Sequence, residues 1–396
     1  MAQVWAQAAS AFVALVGRER WEGRLGELRA AGSGRHVCRL TRERYAVELS
    51  LDLLRRERPA APTAGERTVA CLATAALRVC AGLSASGRDR FHARLAAGLS
   101  GSGSLMPLFH LLHTAERHRA RGFCVEHAGL AAGAPFDLLL TREGVSAELA
   151  ADVLSAEEGR DVPRAAWFRL ADRIDPDLQR WLAAHPGRYL LKMTLPRGLA
   201  EAGTAGDPLA DLHRRIGALL ASRGRADHDS AAILRLDPLL LAGAQAEELG
   251  LLSSLRREFG PEAHLAVTTA GGGVFVMAAR AAREDEVAAA LRRRLEALAP
   301  ARLTGERPGI LAMLLEDTDR GEWCRLRERL ELEGEARLFL TRPQARPVVA
   351  VSCASRLEMF AATDPAAAPE GELRFRNPAH PAARLPALAP AVLSAA

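Results

Sequence analysis

The chain has 396 residues, of which 49% are hydrophobic and 26% are charged. This length is too great for one small domain, and the composition excludes a largely disordered chain. The net charge of +5 favours an anionic partner such as nucleic acid. However, Lys192 is the only lysine, and a compositional bias toward arginine and alanine also explains the charge.

The cysteine pattern bears on the compartment. The six cysteines form no C-x-x-C pair, and a chain of this length needs no disulfide bonds, so we expect reduced thiols and a cytoplasmic location.

No apolar run approaches the length of a membrane span, so no membrane partner is expected. The apolar stretch at 11–16 has no basic residue ahead of it, which favours an amphipathic helix over a secretory signal.

In chain order, the sequence predicts a mainly helical N-terminal region over 1–104, ending at a Gly/Ser-rich break. An α/β core over 105–240 and an α/β region over 241–363 follow, and a Pro/Ala-rich tail over 364–396 is expected to be irregular. The predicted strands are 123–127, 136–141, 145–153, 189–195, 231–236, 264–269, 274–279, 310–315 and 347–353, and helices are predicted at 105–121, 167–181, 211–221, 287–298 and 322–340. Alternating helices and strands indicate a layered α/β fold.

The segment 136–153 has the pattern of a β-hairpin. Residues 145–153 alternate between apolar and mostly polar side chains, and Glu143-Gly144 suits a two-residue turn. With that turn, Arg142 pairs with Val145, so that Asp137, Glu148 and Asp152 project from one face. A shift of one residue would separate them.

Three neighbouring carboxylates repel one another unless a cation or a proton compensates their charge. Hard cations such as Mg²⁺ prefer oxygen ligands, so one interpretation of this face is a divalent-metal site. The alternative is a polar strand face exposed to solvent.

The order of these elements resembles the restriction-endonuclease-like, or PD-(D/E)XK, superfamily over about residues 105–196. The resemblance rests on a helix with Glu116, a short strand, the run 134–140 with Asp137, a turn, and a strand with Glu148. It implies a mixed central sheet flanked by helices, and metal-dependent phosphodiester cleavage in active members. Asp137 and Glu148 would then be catalytic acids that hold Mg²⁺, with Glu116 as a further metal ligand.

The lysine of the implied (Asp/Glu)-x-Lys motif is missing. It falls on Ala150 if Glu148 is the second acid, and on Asp152 if the motif is shifted by two residues. Lys192, on the predicted strand 189–195, is the replacement if that strand lies beside the hairpin. Arg160 and Arg164, which follow the hairpin, are the predicted nucleic-acid contacts.

Two further groups stand out. His110, His113 and His118 share a helix, which favours a polar helix face over a zinc site because no other ligands are apparent. Arg374-Phe375-Arg376 could stack on nucleic acid, but docking of the tail onto its own domain is the favoured interpretation.

Three functions remain open from the sequence. The first is a nucleic-acid-associated protein with a degenerate, catalytically impaired nuclease-like fold. The second is an active Mg²⁺-dependent nuclease that uses Asp137, Glu148 and Asp152. The third is a non-catalytic scaffold whose polar hairpin face contacts a protein partner.

Overall fold

The structure is a computed structural model that describes residues 2–56, 61–199, 207–239, 255, 259, 263–361, 364–368 and 370–393. Its α-helices are α1 (Ala2–Val16), α2 (Arg18–Ala31), α3 (Val37–Arg44), α4 (Ala46–Arg56), α5 (Ala64–Gly82), α6 (Ala85–Gly98), α7 (Met106–Ala120), α8 (Ala128–Ala131), α9 (Arg164–Ala184), α10 (Pro208–Ala221), α11 (Val287–Arg302), α12 (Arg320–Glu328), α13 (Glu331–Leu340), α14 (Arg356–Phe360) and α15 (Ala389–Val392). The strands are β1 (Cys124–Glu126), β2 (Leu138–Arg142), β3 (Val145–Ser155), β4 (Arg188–Leu195), β5 (Ala226–His228), β6 (Ile233–Pro238), β7 (His264–Ala270), β8 (Gly273–Ala281), β9 (Gly309–Glu316), β10 (Val348–Ser355) and β11 (Leu373–Arg376).

The chain divides into two compact units, each with its own sheet. The first unit comprises Met1–Ala30, Thr41–Glu158 and Ala288–Ala396, and the second comprises Ala31–Leu40 and Gly159–Val287. Both sheets mix parallel and antiparallel neighbours, which confirms the predicted α/β class with a mixed sheet flanked by helices. None of the helices in the described ranges has the length and apolar character that a membrane span requires.

The first sheet has the strand order β1-β2-β3-β9-β10-β11. Its three central strands, β3, β9 and β10, run parallel, while β1, β2 and β11 join antiparallel. Every residue of β9 and β10 is buried, as expected for largely apolar parallel strands covered on both faces. The centre of this sheet is therefore shielded from water on both faces.

The N-terminal helices share a core with this sheet. Phe12, Leu51 and Phe109 pack in one cluster with Leu314 of β9 and Ala354 of β10. Each of these helices has an apolar stripe, and the stripes are buried against one another and against the sheet. The unit boundaries therefore differ from the boundary at residue 104 expected from composition.

The second sheet has the order β5-β6-β4-β8-β7, with β4 and β8 parallel and the other pairs antiparallel. The predicted hairpin over 264–279 is present, with Gly271 and Gly272 in its turn at positive φ. The predicted 105–240 core is divided between the two units after Glu158. In the first unit, β3 pairs in parallel with the distant strand β9 and not with a strand of the predicted core. A parallel pairing needs a long crossover, so local patterning does not identify the partner.

Two local predictions are wrong. The tail expected to be irregular contributes β11, which pairs with β10, so Arg374-Phe375-Arg376 docks on its own unit as favoured. The single helix expected over 322–340 is broken between α12 and α13, where Leu330 adopts the left-handed conformation with φ 57°.

Candidate functional site

The predicted hairpin is formed by β2 and β3 with the expected register. Arg142 pairs with Val145, and Leu138 with Leu149. Glu143 and Gly144 both have positive φ, at 51° and 76°, as a two-residue type I′ turn requires. This register places Asp137, immediately before β2, opposite Ala150, so Asp137, Glu148 and Asp152 share one face as predicted.

Asp137 is buried, with 2% of its surface exposed. Its Oδ1 accepts a hydrogen bond from Arg94 Nη2 of α6 at 2.8 Å. Its Oδ2 accepts from Arg302 Nη2 of α11 at 2.8 Å and from the Ala151 amide at 2.9 Å. Arg302 also donates through Nε to the Pro135 carbonyl, which fixes its guanidinium beside the acid. Both oxygens of Asp137 are therefore bonded to donors of the protein.

Glu148 is fully buried, with 0% exposure. Its Oε2 accepts from the Thr304 amide at 2.8 Å, and its Oε1 accepts from the Thr304 hydroxyl. Arg307 Nη1 lies 3.6 Å from the same Oε1. Asp152 pairs with Arg294 Nε of α11 at 2.6 Å. One stretch of chain, residues 294–307, thus supplies a partner to each of the three acids.

We call Arg94, Arg294, Arg302 and Arg307 the arginine rim. These four cations surround the three acids, and Arg307 also lies 4.0 Å from Glu306. The rim side chains are partly exposed, whereas Asp137 and Glu148 are buried, so the prediction of a solvated polar face is wrong for these two. The reason is that α11 and the segment after it cover the face.

A divalent metal needs carboxylate oxygens that are free to coordinate it. In this arrangement, the oxygens of Asp137 and Glu148 already accept from guanidinium, amide and hydroxyl groups, which do not fit a metal shell. No group of three or more His, Cys, Asp or Glu side chains within the described residues could hold a metal ion. The expected Mg²⁺ site stays a prediction that an assay must test.

Glu116, the predicted third metal ligand, lies on α7 and faces other partners. Its Oε1 accepts from Arg119 Nη1 at 2.8 Å and from Arg78 Nη2 at 3.1 Å. The described contacts do not join it to Asp137 or Glu148. It borders a separate cleft together with Arg78, Arg119 and His127.

The strand of Lys192 does not belong to the sheet of the hairpin, so the prediction that Lys192 replaces the missing lysine from a neighbouring strand is wrong. Its strand β4 pairs with β6 and β8 in the second sheet, and its Nζ lies 3.4 Å from Asp237. Arg160 is buried and pairs with Asp285, and Arg164 is half-buried at the start of α9. Buried Arg160 is therefore poorly placed for the predicted contact with a nucleic-acid backbone.

The three histidines of α7 do not form the expected polar face. His110 and His118 are buried, and His110 Nε2 contacts the Ala312 carbonyl at 3.1 Å. Burial lowers the pKa of His113 to about 3 and that of His118 to about 4, so both imidazoles are neutral near pH 7.

Close to these histidines, α7 holds the C-terminal segment through Glu372. The buried carboxylate accepts from Arg121 Nη1 at 2.6 Å and lies 3.3 Å from Arg117 Nη2. Burial by itself raises the pKa of Glu372, but Arg117, Arg121 and His118 outweigh it and bring the pKa below its usual value. The cluster is a charged clamp inside the protein.

Sequence reasoning missed a second pair of acids, Glu48 and Glu316. Glu316 ends β9 at the carboxyl edge of the parallel strands, where α/β proteins commonly bind ligands. Burial, with Asp317 beside it, raises the pKa of Glu316 to about 8, and burial raises that of Glu48 to about 7. The sequence Glu316-Asp317, directly after the apolar residues 310–315, could have indicated this site. The sequence of α4 has no feature that distinguishes Glu48.

Glu48 has a structural role that accounts for part of its burial. Its Oε1 accepts from the Leu105 amide at 2.8 Å, which caps the start of α7 from outside the helix. Its Oε2 and Glu316 Oε1 have no hydrogen-bond partner within the described residues. Both carboxyl groups therefore bind their protons more tightly than an exposed glutamate does.

No protein-family model matches the sequence, and neither a curated protein nor a solved structure is significantly similar to it.

Proposed function

We propose that the protein binds nucleic acid through a degenerate nuclease-like core in which the acid face is held by arginines and phosphodiester cleavage is impaired. The bonding of Asp137 carries the proposal, because both of its oxygens accept from donors of the chain itself. The absence of a lysine at Ala150 or Asp152 supports it as well. Without that lysine, a nuclease of this type lacks the group that orients and activates water.

The arginine rim supports the choice of nucleic acid as partner. A guanidinium group has five N–H donors, and each hydrogen bond to an acid described above uses one of them. The remaining donors on partly exposed side chains suit the oxygens of a phosphate backbone. The four cations are partly exposed, so a polyanion can reach their guanidinium groups.

A salt-dependent binding titration tests the proposal. Labelled single- and double-stranded DNA and RNA are titrated with the full chain from about 50 to 200 mM salt. Each phosphate contact contributes about −0.9 to the log–log slope for duplex DNA and about −0.7 for a single strand. Arg307→Ala should reduce the slope by about one, because Arg307 is exposed and lies 3.6 Å from Glu148 rather than in its tightest bonds.

Arg214→Ala is the matched control, since Arg214 is an exposed arginine of the second unit paired with Asp211. The slope of this variant should equal that of the wild type. If no oligonucleotide binds at low salt, the proposal is wrong and the scaffold function is favoured. If Arg307→Ala binds nucleic acid with the wild-type salt slope, the nucleic acid contacts a surface other than the arginine rim.

A further inference from the structure

The strand β11 is the outer edge of the first sheet, since within the described residues it pairs only with β10. The Asn377 amide donates to the Val349 carbonyl at 2.9 Å, and bonded and non-bonded pairs alternate along an antiparallel ladder. Phe375 is therefore bonded to β10, whereas Arg374 and Arg376 direct their backbone N–H and C=O groups away from it. Among the described residues, no hydrogen bond reaches these groups of Arg376, so this edge can accept a further strand.

A groove runs along this edge. It is formed by two adjoining cavities of about 450 and 300 Å³, which share Glu333, Leu373 and Phe375 in their walls. The larger cavity is lined by every residue of β11, by α13, and by Val392 and Leu393 at the end of α15. The outward backbone of β11 and the two cavities therefore form one surface, which we call the edge groove.

The two helices that border the edge groove lie on opposite faces of the sheet. α15 packs in a cluster with Ala147 and Leu149 of β3. α13 is joined to α11 by Glu335 and Arg292 at 2.7 Å, and α11 covers the opposite face of β3, which carries Asp152. The edge of β11 therefore lies in a slot between a helix above the sheet and a helix below it.

The two sides of this slot differ in chemistry. Leu373 and Phe375 line the α13 side together with Leu330, which at 60% exposure is the most exposed large apolar side chain of the described residues. Arg374 donates to a carbonyl of α15, so Arg376, two residues further along the strand, lies on the α15 side. One side is therefore apolar, and the other is basic.

Arg376 supplies the positive charge that a partner can neutralise. Its side chain is exposed and has no ionic partner within the described residues. The other charged side chains of the edge groove are paired inside the protein: Arg337 with Glu333, Arg374 with Glu370, and Glu372 with Arg121. A carboxylate beside Arg376 would complete this set of pairs.

A second copy of the chain fits this edge poorly. Pairing of the outward backbone groups allows two registers close to full overlap, one with Arg374 opposite itself and one with Arg374 opposite Arg376. Like charges directly opposite each other destabilise a strand pair, and charged side chains on an edge strand commonly prevent association between edges. The occupant therefore needs the opposite charge.

We propose that the edge groove binds an extended peptide segment of another protein, in which apolar and acidic residues alternate. The segment adds an antiparallel strand to β11, with its apolar side chains on Leu330 and Phe375 and an acidic side chain beside Arg376. In such a pair, the residue opposite Arg376 shares its face. The same acidic residue therefore meets the guanidinium and exchanges backbone hydrogen bonds with Arg376.

Fluorescence anisotropy with the full chain tests the proposal. The probe is a labelled, acetylated peptide of six alternating valine and glutamate residues, and its counterpart has lysine in place of glutamate. A hydrogen bond to a charged group separates the two peptides, so the glutamate peptide should bind at least about tenfold more tightly.

N-methylation of the peptide separates strand pairing from simple charge attraction. The glutamate opposite Arg376 uses its amide in the ladder, while the amides of the neighbouring valines point away from β11. A peptide N-methylated at its glutamates should lose detectable binding. The matched peptide N-methylated at its valines should bind like the parent.

A charge reversal on the protein gives the second readout. Arg376→Glu should reverse the preference toward the lysine peptide, and it should fold normally because Arg376 is exposed. Arg88→Glu, at an exposed position of α6, is the matched control and should keep the preference for the glutamate peptide.

The proposal is overturned if the glutamate peptide does not bind saturably, if both peptides bind equally, if methylation at the glutamates has no effect, or if Arg376→Glu keeps the wild-type preference. A dimer in sedimentation velocity that the peptide dissociates would assign the edge groove to a second copy and overturn it as well. These outcomes are independent of nucleic-acid binding, since β9 and β10 lie between β11 and the hairpin.

Discussion

Replacement of Asp137 by alanine distinguishes a structural acid from a metal ligand. In the wild type, Asp137 accepts three hydrogen bonds, two of them from arginines, and is 2% exposed. Breaking a buried ion pair by removing one partner costs about 3–5 kcal/mol. Arg94 and Arg302 are about one-third exposed and regain water, so we expect the lower end, about 3 kcal/mol.

The assay is thermal or urea unfolding followed by tryptophan fluorescence in buffer with a chelator. A loss of about 3 kcal/mol corresponds to a fall in Tm of roughly 6–12 °C for a unit of this size. Asp211→Ala is the control, because Asp211 pairs with Arg214 on the surface, and it should change stability by less than about 0.5 kcal/mol.

The opposite sign would refute the reasoning. In a metal site without its metal, the three acids repel one another, so removal of Asp137 would leave Tm unchanged or raise it. A double-mutant cycle adds a second check. Since Arg302 loses its partner in Asp137→Ala, the cost of Asp137→Ala and Arg302→Ala combined should be clearly less than additive.

Three further predictions concern the rest of the first unit. Glu372→Gln should lower stability by about 3 kcal/mol or more in urea unfolding, because Arg117 and Arg121 lose a buried carboxylate, and a change below about 1 kcal/mol would contradict the clamp. Glu48 and Glu316 keep their protons to about pH 7 and 8 when folded but lose them near 4.5 when unfolded, so folding takes up protons and their contribution to stability falls as pH rises from 4.5 toward 8. The Glu48→Gln/Glu316→Gln variant should therefore gain in Tm relative to the wild type as pH rises from 5 to 8, and a Tm difference that does not change with pH would contradict these pKa values. Leu330→Gly should stabilise the protein by about 0.5–1 kcal/mol, because Leu330 is exposed with φ 57°, and a loss of stability would show that its side chain contributes packing.

The hairpin illustrates what local sequence determines. Alternation along β3 and the Glu143-Gly144 turn fixed the register, and the register brought Asp137, Glu148 and Asp152 to one face. These are short-range properties, since period-2 patterning and a two-residue turn each depend on neighbouring residues. The grouping of the acids was therefore predictable.

The partners of these acids were not predictable in the same way. Arg302 and Thr304 are far from the hairpin in sequence, and they reach it because β9, the parallel neighbour of β3, follows them in the chain. Lys192 was misplaced for the same reason, since strand pairing across a long crossover leaves no periodic signal. An arginine-rich chain offers many possible partners, and only the fold selects among them.

The proposed function requires that arginines hold the acid face and that this face does not support phosphodiester cleavage. The most direct test is a single-turnover assay with Mg²⁺ or Mn²⁺ on single- and double-stranded substrates, comparing the wild type with Asp137→Ala. We expect no metal-dependent cleavage by the wild type above that of the variant. Metal-dependent cleavage that Asp137→Ala abolishes would overturn the proposed function and show that the protein is an active nuclease.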